Sequence, residues 1–360
     1  IITGGTSNKS INLGGGTLGA LANWSYSLPM TLTGINGNTT INTSDPANPS
    51  VGYIVTLSGV LSGDGGLVKT GAGILQLNAY NTFTGGTVVE AGTLLLTAGG
   101  ANGTLTGELT VNAGATVNYT ASNAFGWNAG ASVNKLNING GTVGGNDVPN
   151  HFWNSFQLTM TGGVLYQGGD ASVQYNEWHN PTITILESAQ TAQMLAVSAN
   201  AAMRIRNDTW AKFDVRNGPA DVDLLVDIPI TYQTGSSGIT KIGEGVMKVQ
   251  KNINIANLYV AGGNLVLAGD STSSADFLAV GLSEPWVVGG SSPATLTIQD
   301  NASLTVRAVH MGENYQNPIM GMIAEIRQTG GTFTVTGYNE DPGSPTPYNK
   351  GALRIGHWPN

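Results

Sequence analysis

The sequence predicts an all-β chain whose short strands stack turn upon turn, a β-solenoid with almost no helix. Composition points there first: of 360 residues, 40% are apolar, only 10% are charged, and 52 are glycine. Low charge with many Val, Ile and Thr argues for order rather than disorder, and the glycines are too irregular for a collagen-like period. No window longer than about ten residues holds a 3.6-residue apolar period without a glycine or β-branched interruption. The third observation is a unit that recurs. Gly63 to Leu96 reads GDGGLVKTGAGILQLNAYNTFTGGTVVEAGTLLL, and Gly238 to Leu267 reads GITKIGEGVMKVQKNINIANLYVAGGNLVL. Gly66, Lys69, Gly71 and Gly73 align with Gly238, Lys241, Gly243 and Gly245. Leu75 and Leu77 fall on Met247 and Val249. After a one-residue slip, Gly92, Leu94 and Leu96 fall on Gly263, Leu265 and Leu267. Glycines and apolar positions that stay in step mark a repeat architecture.

Within the first copy, Gly73–Leu77, Thr87–Glu90 and Gly92–Leu96 each suit a short strand, and the glycine, asparagine and threonine between them suit tight turns. The phrase G-L-x-K-x-G-x-G-x-L-x-L, then Asn81-Thr82-Phe83-Thr84-Gly85-Gly86-Thr87, then G-T-L-L-L, resembles the autotransporter-associated β-strand repeat. The second copy departs from it at Asn252 to Asn257, where the aromatic-Thr-Gly-Gly step is missing. Phrases at Ile11 to Gly34 and at the end, GALRIGHWPN, look like the same class of protein. The resemblance implies a right-handed parallel β-helix of an exported bacterial protein, extracellular or at the cell surface, with a structural or adhesive role and no enzyme chemistry.

Zero cysteines exclude disulfides and thiolate metal sites together. A net charge of −8 and a pI near 4.9 argue against nucleic acid, which demands a basic patch. No apolar run approaches the roughly 20 residues of a membrane span. The chain opens directly in repeat idiom, without a basic-then-apolar signal segment, so it reads as one continuous solenoid segment, 1–360, of a longer precursor.

In chain order, Ile11–Leu13, Met30–Leu32 and Ile54–Leu57 suit strands, and Asp45-Pro46-Ala47-Asn48-Pro49 suits an excursion, since proline cannot donate to a central ladder. Leu109 to Val117 and Leu296 to Leu304 each read as strand, corner, strand. Stacked corners of this kind pair one turn with the next at about 4.8 Å, with roughly 20–25 residues per turn. Residues 121–235 diverge: Phe125, Trp127, Phe152, Trp153, Phe156, Tyr166, Tyr175, Trp178 and Trp210 concentrate there. The section 271–360 returns to short strands and includes a proline-rich excursion at 341–347.

Two stretches alternate cleanly. Arg204, Arg206, Asp208, Trp210, Lys212, Asp214 and Arg216 fall opposite Ile205, Ala211, Phe213 and Val215, as one half-buried strand or two. This face is a candidate for an acidic sugar, with Trp210 stacking on a ring, or else a charge ladder on an exposed face. Asp221, Asp223 and Asp227 fall opposite Val222, Leu224 and Val226. They are candidate calcium ligands, since Ca²⁺ takes six to eight oxygens, or simply three solvated carboxylates. His151, His179, His310 and His357 lack the close spacing of a zinc pair. Asp208, Asp214 and Arg216 are the nearest approach to a catalytic carboxylate set. Two functions follow in different classes. The first is a non-enzymatic surface protein, adhesin-like or fibrous, whose solenoid ends or sides pack on further copies. The alternative is a carbohydrate-binding or polysaccharide-cleaving β-helix using the 121–235 face.

Overall fold

The computed structural model describes residues 11–152, 155–169, 177–281, 293–312 and 323–337, and the backbone of Leu353–Ile355. Trp153, Tyr175, the proline-rich 341–347 stretch, His357 and both chain ends lie outside the described residues. The chain divides into two compact units, 1–154 and 155–360. Each is a parallel β-solenoid, and no helix among the described residues is long and apolar enough to cross a membrane.

In the first unit the chain visits three faces in turn. The first face holds Ile11–Leu13, Met30–Leu32 and Leu61–Ser62. The second runs from Gly16–Gly19 through Thr39–Asn42, Leu67–Thr70, Thr87–Val89 and Gly107–Asn112 to Val133–Asn139. The third runs from Trp24–Tyr26 through Ile54–Leu57, Ile74–Leu77, Gly92–Leu96 and Ala115–Tyr119 to Thr142–Val143. Strands pair in parallel with the strand one rung away, and the residue offset runs from 19 (Ile11 to Met30) to 31 (Met30 to Leu61). The expected 20–25 residues is therefore the shorter part of a wider range. Long rungs carry excursions at their corners, such as the one at 45–49. There Asp45 accepts from Ala47 N (2.7 Å) and Tyr53 Oη (2.9 Å), which hold its carboxyl below the usual range.

Alternation decides what points inward. Val55, Leu75, Leu94, Val117 and Val143 stack as one fully buried column across five rungs. Burying each such side chain contributes roughly 1.5–3 kcal/mol. The Asn81–Thr87 signature serves the same stacking. Phe83 is buried, while Asn81 accepts from Leu61 N (2.8 Å) in the preceding rung and donates to Thr104 O (2.9 Å) in the next. One asparagine thus satisfies backbone groups of both neighbours, which burial would otherwise leave costly.

The second unit repeats the plan. Glu177–Trp178, Met203–Ile205 and Ile230–Tyr232 form the first face. The second runs from Gln157–Met160 through Thr182–Ile185, Trp210–Val215 and Gly238–Ile242. The third runs from Val164–Gln167 through Ala192–Ala196, Leu224–Asp227, Val246–Val249, Gly263–Leu267 and Ala294–Ile298 to Ala324–Gln328. From Asn254–Val260 onward the first two faces merge into single bent strands, followed by Thr272–Val280 and Ser303–Met311. The paired register skips Ala256, Asp276 and Arg307, which marks the bend. Phe156 and Trp178 are buried edge to face (5.9 Å), so these aromatics of the divergent stretch fill the interior.

Corners set the tightest limit. A Cβ at Gly85 would collide with the backbone of Gly65 and Gly66 one rung below, and one at Gly65 would meet Gly34. Gly19 has open space around it. Gly85→Ala is expected to cost about 1–3 kcal/mol, and Gly19→Ala less than about 0.5 kcal/mol. Urea midpoints followed by circular dichroism check both.

Candidate functional site

The alternating stretch 204–216 keeps its inside and outside: Ile205, Ala211, Phe213 and Val215 are buried. It is not one face, however. Met203–Ile205 belongs to the first face and Trp210–Val215 to the second, with a corner at Asn207-Asp208 where Asp208 takes φ 55°. The seven polar side chains therefore split into separate groups. Arg206 pairs with the buried Glu177 (3.3 Å), and Gln233, with its amide oriented to suit, bridges Glu177 and Arg204 at 3.1 Å each. Asp208 accepts from Ser236 N (3.0 Å) at the corner. Lys212 and Asp214 are half-buried on the second face, and Arg216 is exposed beyond it. Asp208 and Asp214 stand six residues apart along the chain, about 20 Å in extended backbone, so they do not converge as a catalytic pair.

Trp210 packs against protein. Its indole lies over Gly238, where a Cβ would strike the ring, and its centroid is 4.9 Å from that of Tyr259. The row continues through Phe277 (5.8 Å) to His310 (4.6 Å). Together with Ile242, Ala261 and Ala279 it forms an apolar cluster on the outer side of the second face. Sequence alternation assigns this side to polar groups; stacking across rungs converts part of it to a second small core.

The aspartates correct a further expectation. Asp221 is exposed and Asp227 pairs with Lys251 (3.5 Å), but Asp223 is 3% exposed. Its two oxygens accept from Gly218 N (2.7 Å) and Val246 N (2.8 Å), closing the loop before its strand. Asp223 begins the inward set because the strand starts only at Leu224. Among the described residues no group of three or more His, Asp or Glu is placed to hold a metal. His151 stacks edge-on to Trp127 (5.6 Å), far along the chain from His310 on Phe277. Burial pushes the His179 imidazole down, and the Arg206 guanidinium adds to this while Glu177 opposes it.

One pocket was not foreseen. At the bend of the merged strands, Tyr232, Ser274, Asp276, Thr305, Arg307 and Thr336 line a half-open hollow of about 200 Å³. Arg307 Nε meets Asp276 Oδ1 at 3.3 Å. No local pattern signals it, because its walls, which also include Ile255, come from five rungs.

The repeat itself is the best-defined feature. Residues 67–96 match the family described as passenger-associated-transport-repeat. The chain carries an autotransporter-associated β-repeat. The matched residues span two successive rungs, Leu67–Thr70 with Ile74–Leu77 and Thr87–Val89 with Gly92–Leu96, and they include Lys69, Asn81, Gly85 and Gly92. The chain is also 37% identical over 89 residues to the adhesin BmaC autotransporter of Brucella suis biovar 1. That match covers 24% of this chain and 3% of the relative, so the chain spans a small fraction of that protein's length. No solved structure matches.

Both lysines of the repeat are buried, Lys69 at 0% and Lys241 at 1% exposed. Burial pushes Lys69 down to about 8 and Lys241 down to about 7, the latter opposed by Asp223 and Asp214. The unfolded chain keeps these protons until about pH 10.4. Unfolding therefore takes up protons between the folded and unfolded values, and stability rises with pH through that window. Urea midpoints at about pH 8 and about pH 10 are expected to show a larger rise for the native chain than for a Lys69→Met/Lys241→Met variant. A second comparison tests the aspartates: Asp223→Ala is expected to cost about 1.5–3 kcal/mol, and Asp227→Ala less than about 1 kcal/mol.

Proposed function

We propose that this chain is a non-enzymatic, surface-exposed segment of an exported bacterial protein, adhesin-like in role, in which the solenoid presents contact surface rather than a reaction centre. The observation that carries the reading is the passenger-associated-transport-repeat at 67–96, supported by similarity to a protein named as an adhesin autotransporter. The outward side chains agree with it. Along the second face of the first unit, Asn137 donates to Glu108 and to Thr110 (3.2 Å), Asn139 donates to Asn112 (3.2 Å), and Lys135 pairs with Glu108 (3.0 Å). Such polar ladders keep a long surface soluble and ordered at once. Self-association belongs to the same proposal, because a parallel ladder ends on strands whose N–H and C=O groups can pair with a further copy.

The pocket at the bend favours a second reading, contact with a surface glycan. Its volume suits one sugar ring, its hydroxyls and the Asp276–Arg307 pair offer both donors and acceptors, and Tyr232 supplies a ring.

Two measurements test these readings. Purified chain is expected to coat host-cell or matrix surfaces saturably, and to form filaments or larger species visible by electron microscopy and sedimentation. A chain that binds no surface and stays monomeric at high concentration sinks the adhesive reading. On a glycan array, binding lost on Arg307→Ala and kept on Trp210→Ala supports the pocket; the reverse pattern returns the site to the 204–216 stretch.

A further inference from the structure

Lys69 and Lys241 occupy the same place in the two repeat copies, and the resemblance between them extends to their contacts. Lys69 lies in an inward column between Ile41 and Val89, and Lys241 lies between Phe213 and Val260. Each therefore continues a stack of apolar side chains with its four-carbon stem. The head group leaves the column for the corner. Lys69 Nζ donates to Thr70 O (2.9 Å) and Gly71 O (2.8 Å) in its own rung and to Ala91 O (2.8 Å) in the next. Lys241 Nζ donates to Gly243 O (2.7 Å) in its own rung and to Gly262 O (2.7 Å) in the next. Gly71 aligns with Gly243 and Ala91 with Gly262, so the same two carbonyl positions are used twice.

The glycines around the head group make the space. Gly71 and Gly243 take φ of 80° and 76°, and Gly92 and Gly263 take 65° and 59°. A Cβ at Gly263 would lie 2.5 Å from Lys241 Nζ, inside the position the amine fills. The Gly71, Ala91, Gly243 and Gly262 carbonyls lie where the chain leaves one strand and enters the next, and the lysine heads supply them with donors there, whereas Thr70 O also accepts from Thr43 N at 3.1 Å.

We propose that the lysine of each repeat copy is an internal tie that joins two successive rungs at one corner, filling a backbone-carbonyl site whose ligand is a primary amine or ammonium group. The lysine, its glycine two positions on and the glycine that opens the next third-face strand form one device, and the repeat's signature is its footprint. The tie goes beyond the adhesive reading and stands or falls without it. Among the described residues no acidic side chain supplies a hydrogen bond to either head group. Asp223 and Asp214 are the charged groups whose field reaches Lys241, and none is resolved at Lys69.

The test uses the full chain. Lys69→Met and Lys241→Met keep the apolar stem and remove the donors. Each is expected to lower the folding equilibrium constant by about tenfold or more, read from urea midpoints at neutral pH. Lys69→Ala opens the site to a small amine. Propylammonium is expected to restore part of its stability saturably, whereas tetramethylammonium, which has no N–H, does not. A methionine variant as stable as the native chain overturns the tie, as does equal recovery with both cations. Should the variants fail to fold, amine acylation of the native chain decides. Lys69 and Lys241 are expected to react far more slowly than the half-exposed Lys135 and Lys251, and equal rates overturn the proposal.

Discussion

Successive rungs of a parallel coil must come together at ladder spacing at every corner as well as along every strand. The strand presents no difficulty, since each N–H and C=O finds a partner one rung away. At a corner the backbone turns, the ladder stops, and two turns of chain cross at distances that leave no room for a Cβ. Gly34, Gly65 and Gly85 stack in one such place; Gly52 and Gly73 stack in another. Rung-to-rung register in each unit depends on these crossings, because a side chain there would push one turn off the next and misalign every apolar column beside it.

The same crossings explain where polar side chains go. Solvent is the default place for the few charges of such a chain. Several instead face inward, Lys69 and Lys241 on corner carbonyls and Asp223 on two amide N–H groups, and the uncharged Asn81 does the same between two neighbouring rungs. Each answers an accounting need of the backbone. Burying a lysine is costly unless its head is fully hydrogen-bonded, and the three carbonyls at Lys69 match the three donors of an ammonium. Two carbonyls accept from Lys241, whose burial pushes its pKa down to about 7.

Outside, neighbouring side chains are assembled across rungs. Residues adjacent on one face are 18 to 44 apart in sequence, whereas a few steps along the chain turn a corner onto another face. Arg206 therefore meets Glu177 and Trp210 meets Tyr259, while Arg204 and Trp210 belong to different sheets. A short contiguous motif is a poor guide to a binding site in such an architecture, and the pocket at Asp276 and Arg307 has no motif at all.

Sequence alone determined the strand alternation, the repeat with its glycines, the parallel stacking those imply and the proline excursion at 45–49. These are local or periodic properties, written in the order of residues. Tertiary structure decided the rest. It split the 204–216 face at the Asn207-Asp208 corner, drew Asp223 inward, sealed Trp210 against Tyr259 and placed two lysine heads on the carbonyls of a following rung. Rung length varies with each corner insertion, so the partner of any residue is fixed by which turn lies above it. Pairing across rungs is where polar groups are satisfied and aromatic rings are covered, and a single strand's pattern does not contain it.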